Sequence, residues 1–243
     1  MVTMNLKKQA LLCLAIILMD GVLMLALVAE ILHGGGRYRG KQQWKQVGAD
    51  HEYMTPETVA LTFDDGPNSN YTEVLLDGLK ERDVNATFFL IGECLEGNEE
   101  IVRRMEQEGH LIGVHCMRHT DLTKEKAGDA IGQLEMTAVK IEEMTGTAPE
   151  YVRPPYGSWS DELDDRVWEE LQMRPVFWDV DSLDWKTQNT EKIVRKVVGD
   201  VEDGDVILLH DEFAESVEAA LRIIDNLQTK GYTFVTIDEL TID

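Results

Sequence analysis

The sequence predicts an α/β fold: a parallel sheet of about seven strands, open or closed into a distorted (β/α) barrel, with an N-terminal transmembrane helix. Three observations carry this. From residue 57 onward, short β-branched or aromatic runs alternate with longer segments of helical periodicity, the pattern of right-handed βαβ units. Ahead of them lies an apolar stretch of about 20 residues, long enough to span a bilayer. Polar residues able to do chemistry fall at the C-terminal ends of the strand-like runs, the edge where such sheets collect their sites.

The apolar stretch runs from Ala10 to Ile31, interrupted by Asp20, Gly21 and Glu30 and preceded by Lys7 and Lys8. That is the layout of a signal sequence or signal anchor. Leu27-Val28-Ala29 matches a cleavage site poorly, so residues 1–33 read as an anchor or uncleaved signal. Gly34-Gly35-Gly36 and the polar residues to 55 read as a linker. Residues 56–243 read as the folded domain.

Within that domain, strands are expected at 59–63, 86–91, 111–114, 149–152, 174–180, 205–209 and 232–235. Helices are expected at 71–82, 98–109, 125–145, 160–172, 190–200 and 214–228. Asp64 and Asp65 follow the first strand, His115 the third, Arg153 the fourth and His210 the sixth. One strand-end polar residue alone often just caps a helix. Five on one edge are a stronger signal.

Charge and cysteine content narrow the classes. A net charge of −23 argues against nucleic acid as a partner, since that needs clustered Lys and Arg. Its plain meaning is a solvated, self-repelling surface. Cys13, Cys94 and Cys116 do not make a disulfide framework; Cys94 and Cys116 read as free or buried thiols.

His115 and His119 are four apart. If the segment is helical, both rings share one face and Cys116 points away from it. A carboxylate completes a two-His-one-carboxylate set, suited to catalytic zinc or another divalent transition metal. A lone HxxxH is a weak signal; beside Asp64-Asp65 it is a stronger one. Neighbouring strand residues point to opposite sides. The two aspartates can therefore divide, one on the metal and one free as general base.

These residues carry a family resemblance. Thr62-Phe63-Asp64-Asp65-Gly66-Pro67, His115-Cys116-Met117-Arg118-His119, Arg153-Pro154-Pro155-Tyr156, Asp181-Ser182-Leu183-Asp184-Trp185 and Leu208-Leu209-His210 resemble, in order, the five signatures of the polysaccharide deacetylases (carbohydrate esterase family four). The resemblance implies roles. Asp64 is the general base, tuned and oriented by Arg153. Asp65, His115 and His119 hold a divalent metal, zinc first, with cobalt or nickel as alternatives. His210 is the acid that protonates the leaving nitrogen, held partly protonated by Asp184. The backbone N–H of Tyr156 stabilises the oxyanion, and Trp185 and Leu208 wall the acetyl pocket. Taken singly, Arg153 reads as a surface ion pair, Trp185 as core and His210 as a strand-end histidine. Cys116 departs from the family, which has Ser or Thr there. A thiol is a weaker donor, which implies a looser loop or lower metal affinity.

The implied reaction removes N-acetyl groups from cell-wall glycan, N-acetylglucosamine of peptidoglycan first. Chitooligosaccharides and O-acetyl xylan are alternatives. Tyr156 argues against the branch that processes muramic residues, where Arg is expected. Trp159, Trp178 and Trp185 could stack on sugar rings, with core as the fate of at least one. Two readings from other classes are a non-haem iron oxygenase and a catalytically silent, membrane-anchored glycan-binding protein. The first leaves Asp64, Arg153 and His210 without work. Arg37, Arg39, Lys41 and Lys45 follow the apolar span, so the positive-inside count does not itself favour export. The very short N-terminal stub and the wall chemistry favour a single-pass protein with its domain outside, facing the cell wall. Oligomeric state is left open.

Overall fold

The computed structural model describes residues 57–240. The anchor expected over 1–33 and the linker over 34–55 lie outside the described residues. Among the described residues, no helix is long and apolar enough to cross a membrane.

The chain alternates strand and helix: β1 (Thr58–Asp64), α1 (Thr72–Glu81), β2 (Thr87–Leu90), α2 (Glu99–Gln107), β3 (Leu111–Val114), α3 (Ala127–Thr145), β4 (Tyr151–Val152), α4 (Asp161–Leu171), β5 (Arg174–Pro175), β6 (Val180–Asp181), α5 (Asp184–Thr187), α6 (Thr190–Asp200), β7 (Val206–His210), α7 (Ala214–Lys230), β8 (Thr233–Val235) and α8 (Ile237–Leu240). Every strand pairing is parallel. The order is β5-β4-β3-β2-β1-β7-β6, with β8 against β1. The parallel β/α sheet is as expected; among the described residues it is a half-barrel of eight strands rather than a distorted barrel of about seven.

β1 is an interior strand that pairs with β2, β7 and β8, and residues 59–64 are buried, as a strand covered on both faces requires. Ala60 pairs with both Val206 and Val235, so β7 and β8 lie on opposite edges of β1. β8 serves the first half of β1, and β2 serves the second, from Thr62 to Asp64. Gly113 on β3 is obligatory. A Cβ there would meet the Phe89 ring at 2.6 Å and the Tyr151 carbonyl at 3.0 Å.

The helices cover the sheet by burying one stripe each. α2 buries Ile101, Val102 and Met105, and α7 buries Val217, Ala220, Ile223, Ile224 and Leu227. Apart from the small Ala220, each such side chain contributes roughly 1.5–3 kcal/mol. Ser160 caps α4 and Asn189 caps α6 through side-chain oxygens, as these residue types do at helix starts. α3 and α7 end on Gly146 and Gly231 at φ +80° and +97°, a conformation glycine adopts without a Cβ clash.

The single strand expected at 174–180 is two short strands. Its first residues pair with β4 (Arg174 with Tyr151, Pro175 with Val152), and its last pair with β7 (Val180 with Ile207, Asp181 with Leu208). Residues 176–179 carry the chain across the gap between the two ends of the sheet. The two ends of the half-barrel are thus linked there by covalent chain, with no strand pairing between β5 and β6.

Candidate active site

β1, β3, β4 and β7 all deliver polar residues at their C-terminal ends. Asp64 ends β1 and His210 ends β7, directly paired in register. His115 follows β3 and Arg153 follows β4. Asp65 leaves the strand at φ +72°. Left-handed backbone in a non-glycine residue is costly and gathers at functional loops. Cys116, Tyr156 and Leu183 share it, at φ +82°, +62° and +57°, each within one of the motif segments.

The two aspartates do not separate by simple strand alternation. Asp65 has already turned out of the strand, and both carboxylates approach His115. Its Nε2 is 3.3 Å from Asp65 Oδ1 and 3.9 Å from Asp64 Oδ2.

Asp65, His115 and His119 offer one ligand atom each within 4.8 Å of one another. His119 Nε2 lies 3.5 Å from Asp65 Oδ1. That oxygen is buried and accepts no hydrogen bond. His115 Nδ1 sits 2.7 Å from the Arg153 carbonyl, which fixes the tautomer that leaves Nε2 as a bare lone pair. A carboxylate oxygen without a hydrogen-bond partner and two imidazole nitrogens thus converge on one point. A divalent cation fits this donor set.

The histidine segment is not helical, contrary to the shared-face expectation. Residues 115–120 form a loop, turned by left-handed Cys116 and tightened by the Thr120 N–H donating to the Arg118 carbonyl at 2.6 Å. Cys116 is buried in the core and donates its Sγ–H to the Arg118 carbonyl. The thiol thus takes the supporting place expected of a hydroxyl. Burial pushes it up to about 11, which keeps it a thiol rather than a ligand. Cys94 and Cys116 are free. The loop also leans on α3: the Arg118 N–H donates to Gln133 Oε1 at 3.1 Å, and Gln133 Nε2 donates to Glu125, which also accepts from Thr120.

Arg153 is fully buried. Its Nη1 donates to Asp64 Oδ1 at 2.9 Å and to Thr62 Oγ1 at 2.6 Å. Nη2 donates to the Phe177 carbonyl at 3.2 Å, and Nε to the Val176 carbonyl at 3.4 Å. Its guanidinium carbon stacks 4.3 Å over the Phe89 ring. One side chain therefore orients Asp64 and also satisfies the carbonyls that the broken ladder at 176–179 leaves over. Burial lowers its basicity, and the Asp64 carboxylate opposes that. The surface-pair reading of Arg153 is excluded.

His210 and Asp184 form a second buried pair. Nδ1 is 2.8 Å from Asp184 Oδ1, and the His210 N–H donates to Oδ2 at 2.8 Å. Burial alone would lower the imidazole, but the Asp184 hydrogen bond and charge outweigh it and raise it to about 9. Asp184 is driven the other way: burial raises it, and His210 more than reverses that. His210 Nε2 points toward the metal-site candidate, 3.9 Å from Asp65 Oδ2. At Asp65, burial raises the carboxyl, but nearby His115, with His119 and His210, holds it below the usual range.

The rim is aromatic. Tyr156, Trp185 and Phe177 are exposed. The Tyr156 ring stands edge-on to His119 at 4.5 Å, with its hydroxyl donating to the His119 carbonyl at 3.3 Å. Leu208 is buried. Trp178 packs over Gly157 and Arg153, and Trp159 packs against the core. A cavity of about 360 Å³ lined by His110, Tyr151 and Thr236 lies elsewhere, where β3 and β4 begin.

Sequence reasoning did not single out Thr62, Phe89, Gln133, Thr72 or Asp211. Thr62 lies inside the first motif. The others are joined to the site only by the fold, with no local pattern to mark them.

Fold and site together define a β/α half-barrel with a two-histidine-one-carboxylate centre, flanked by an arginine-held carboxylate and an aspartate-held imidazole. A family model described as polysaccharide deacetylase matches residues 51–176, and the chain belongs to that family. It is 38% identical over 186 residues to the peptidoglycan-N-acetylglucosamine deacetylase PgdA of Listeria monocytogenes, covering 76% of this chain and 39% of that one. It is 40% identical over 184 residues to the peptidoglycan-N-acetylmuramic acid deacetylase PdaC of Bacillus subtilis, covering 76% of this chain and 38% of the relative. The solved structure of PdaC superposes with a TM-score of 0.73 at 40% identity, over 76% of this chain and 90% of that one. The chain thus spans about two-fifths of these relatives' length. They carry two different sugar names at nearly equal identity.

Proposed function

We propose that the protein is a metal-dependent hydrolase removing N-acetyl groups from peptidoglycan, with N-acetylglucosamine as its first substrate. The observation that carries this is the convergence of Asp65 Oδ1, His115 Nε2 and His119 Nε2 beside two differently held groups, Asp64 and His210. Asp65, His115 and His119 would hold the metal. When bound, a divalent cation supplies Lewis-acid polarisation of a carbonyl and a water of lowered pKa, ~7 for zinc in favourable sites.

The chain's own residues do the rest. Asp64, fixed by Arg153, takes the proton of the attacking water. His210, kept protonated by Asp184, gives a proton to the leaving nitrogen, which cannot depart as an anion. Base and acid stand on adjacent strands in register, so one substrate amide can meet both. The Tyr156 N–H is assigned to the developing oxyanion, and losing one such donor typically costs about 2.7–4 kcal/mol in the barrier. Leu208 and Trp185 are assigned to the acetyl pocket, with the exposed Trp185 as a sugar platform.

Zinc, cobalt and nickel all suit this donor set. A membrane tether through Ala10–Ile31 and a domain facing the wall complete the proposal. A domain protected from protease on intact cells contradicts that placement. The 40% identity to PdaC favours muramic residues as a second reading. The test is acetate release from peptidoglycan, chitin oligomers and acetylxylan, with and without chelator, followed by mass spectrometry of the product sugars. Free amines on glucosamine support the first reading and free amines on muramic acid the second. Release insensitive to chelator contradicts the metal.

A further inference from the structure

Directly after His210 comes a residue that the proposed chemistry does not use. Asp211 is fully buried, and its carboxyl lies against the turn that carries Asp65. A Cβ built on Gly66 would meet both Asp211 oxygens at 2.8 Å. The carboxyl therefore fills the space that any side chain at position 66 would need.

Its contacts tie that turn down. Asp211 Oδ2 accepts from the Thr72 hydroxyl, and the Thr72 oxygen accepts from the Asn68 N–H at 2.7 Å. Thr72 is itself fully buried at the start of α1. Asp211 Oδ1 is buried and has no hydrogen-bond partner. Burying a carboxyl with an unsatisfied oxygen is unfavourable, and here it is pushed up to about 7 by that burial. What the carboxyl provides is a rigid link. One end is covalently joined to His210, and the other is hydrogen-bonded through Thr72 and Asn68 to the turn just after Asp65.

We propose that Asp211 is a positioning residue that braces the Asp65–Thr72 turn against β7, holding Asp65 at the spacing from His115 and His119 that a divalent cation requires. This rests on the assignment of Asp65, His115 and His119 as a metal site. Partners one shell beyond a ligand typically change metal affinity by about 10–100-fold when lost.

The test is metal affinity, not turnover. Zn²⁺ and Co²⁺ binding to the full chain is measured by competition with a chromogenic chelator, with the Co²⁺ absorption spectrum as a report on coordination geometry. Thermal midpoints of the metal-free proteins are recorded alongside. Asp211→Ala is expected to bind about 10–100-fold more weakly with an altered Co²⁺ spectrum. Asp211→Asn, whose amide oxygen can still accept from Thr72, is expected to recover most of the affinity. Thr72→Val is expected to lose less than Asp211→Ala. Parent affinity and spectrum in Asp211→Ala, with only the thermal midpoint lowered, would make the residue plain scaffold and overturn the proposal. If Asp211→Ala does not fold, Thr72→Val decides: weakened binding supports the brace, and parent affinity overturns it. A parent protein that binds neither ion overturns the metal assignment itself, and the brace with it.

Discussion

Replacing Asp184 by Asn removes the charge opposite His210 while nearly keeping the shape. In the parent, His210 is raised from 6.5 to about 9 against the opposing effect of its own burial. That difference is worth roughly 3 kcal/mol at about 1.36 kcal/mol per pKa unit. The imidazole side chain is 11% exposed, so little of this is lost to solvent screening. His210 and Asp184 titrate as a coupled pair, and the observable is the imidazole's apparent midpoint. In the Asp184→Asn variant, burial is opposed by the more distant Asp64, Asp65 and Glu212 alone, so the midpoint should fall well below the parent's, back toward the ordinary imidazole value. The assay is an NMR titration of the His210 ring in metal-free protein. The folded pKa lies above the unfolded one, so the pair's stabilisation is present in full below pH 6.5 and is lost as pH rises through about 9. Asp184→Asn should therefore cost most near pH ~6 and little near pH ~10. In turnover, the basic limb should move to lower pH in the variant, because the acid must be protonated to act. A parent His210 midpoint still at its ordinary value, or one that Asp184→Asn leaves unmoved, would refute the reasoning.

Other expectations follow from the same contacts. Arg153→Met keeps volume but leaves the buried Asp64 carboxylate unpaired, and should cost about 3–5 kcal/mol in urea unfolding; a change within about 0.5 kcal/mol, the range of an ordinary surface substitution, would contradict the buried pair. Thr62→Val removes an acceptor for Arg153 and a donor to the Ile207 carbonyl, and should cost about 1–3 kcal/mol in the same assay. Cys116→Ser keeps a donor for the Arg118 carbonyl and should bind metal at least as tightly as the parent by competition titration. A clear loss would show that the buried thiol itself has a role.

The regular parts of this fold were legible because local patterns dictate them. β3 and α6 fall on the expected residues, 111–114 and 190–200, where a short apolar run or a clean amphipathic stripe decides the matter. Legibility fails where the chain changes partners. Residues 174–180 look like one strand, but only the fold shows that the first two pair with β4 and the last with β7. β4 is shorter than its apolar run. Pro149 ahead of it and Pro154 after it lack the N–H that a ladder needs. The site was legible as a set of motifs, and the fold does gather Asp64, Asp65, His115, His119, Arg153, Asp184 and His210. Its geometry was not. Spacing suggested a helical histidine pair and strand-alternating aspartates, whereas left-handed backbone at Asp65 and Cys116 does both jobs. No sequence rule foresees those angles in non-glycine residues, because long-range packing imposes them. Asp211 and Thr72 meet across 139 residues, which no local pattern can report.

In the proposed reaction two adjacent carboxylates have different tasks, one toward the metal and one toward the proton. Asp64 Oδ2 lies only 3.9 Å from His115 Nε2, so proximity alone does not separate them. Metal content after dialysis and acetate release, measured side by side on Asp64→Ala and Asp65→Ala, does. Asp65→Ala should lose the metal and with it all turnover, whereas Asp64→Ala should keep the metal and lose turnover. Loss of metal from both, or turnover surviving in Asp64→Ala, would contradict the division.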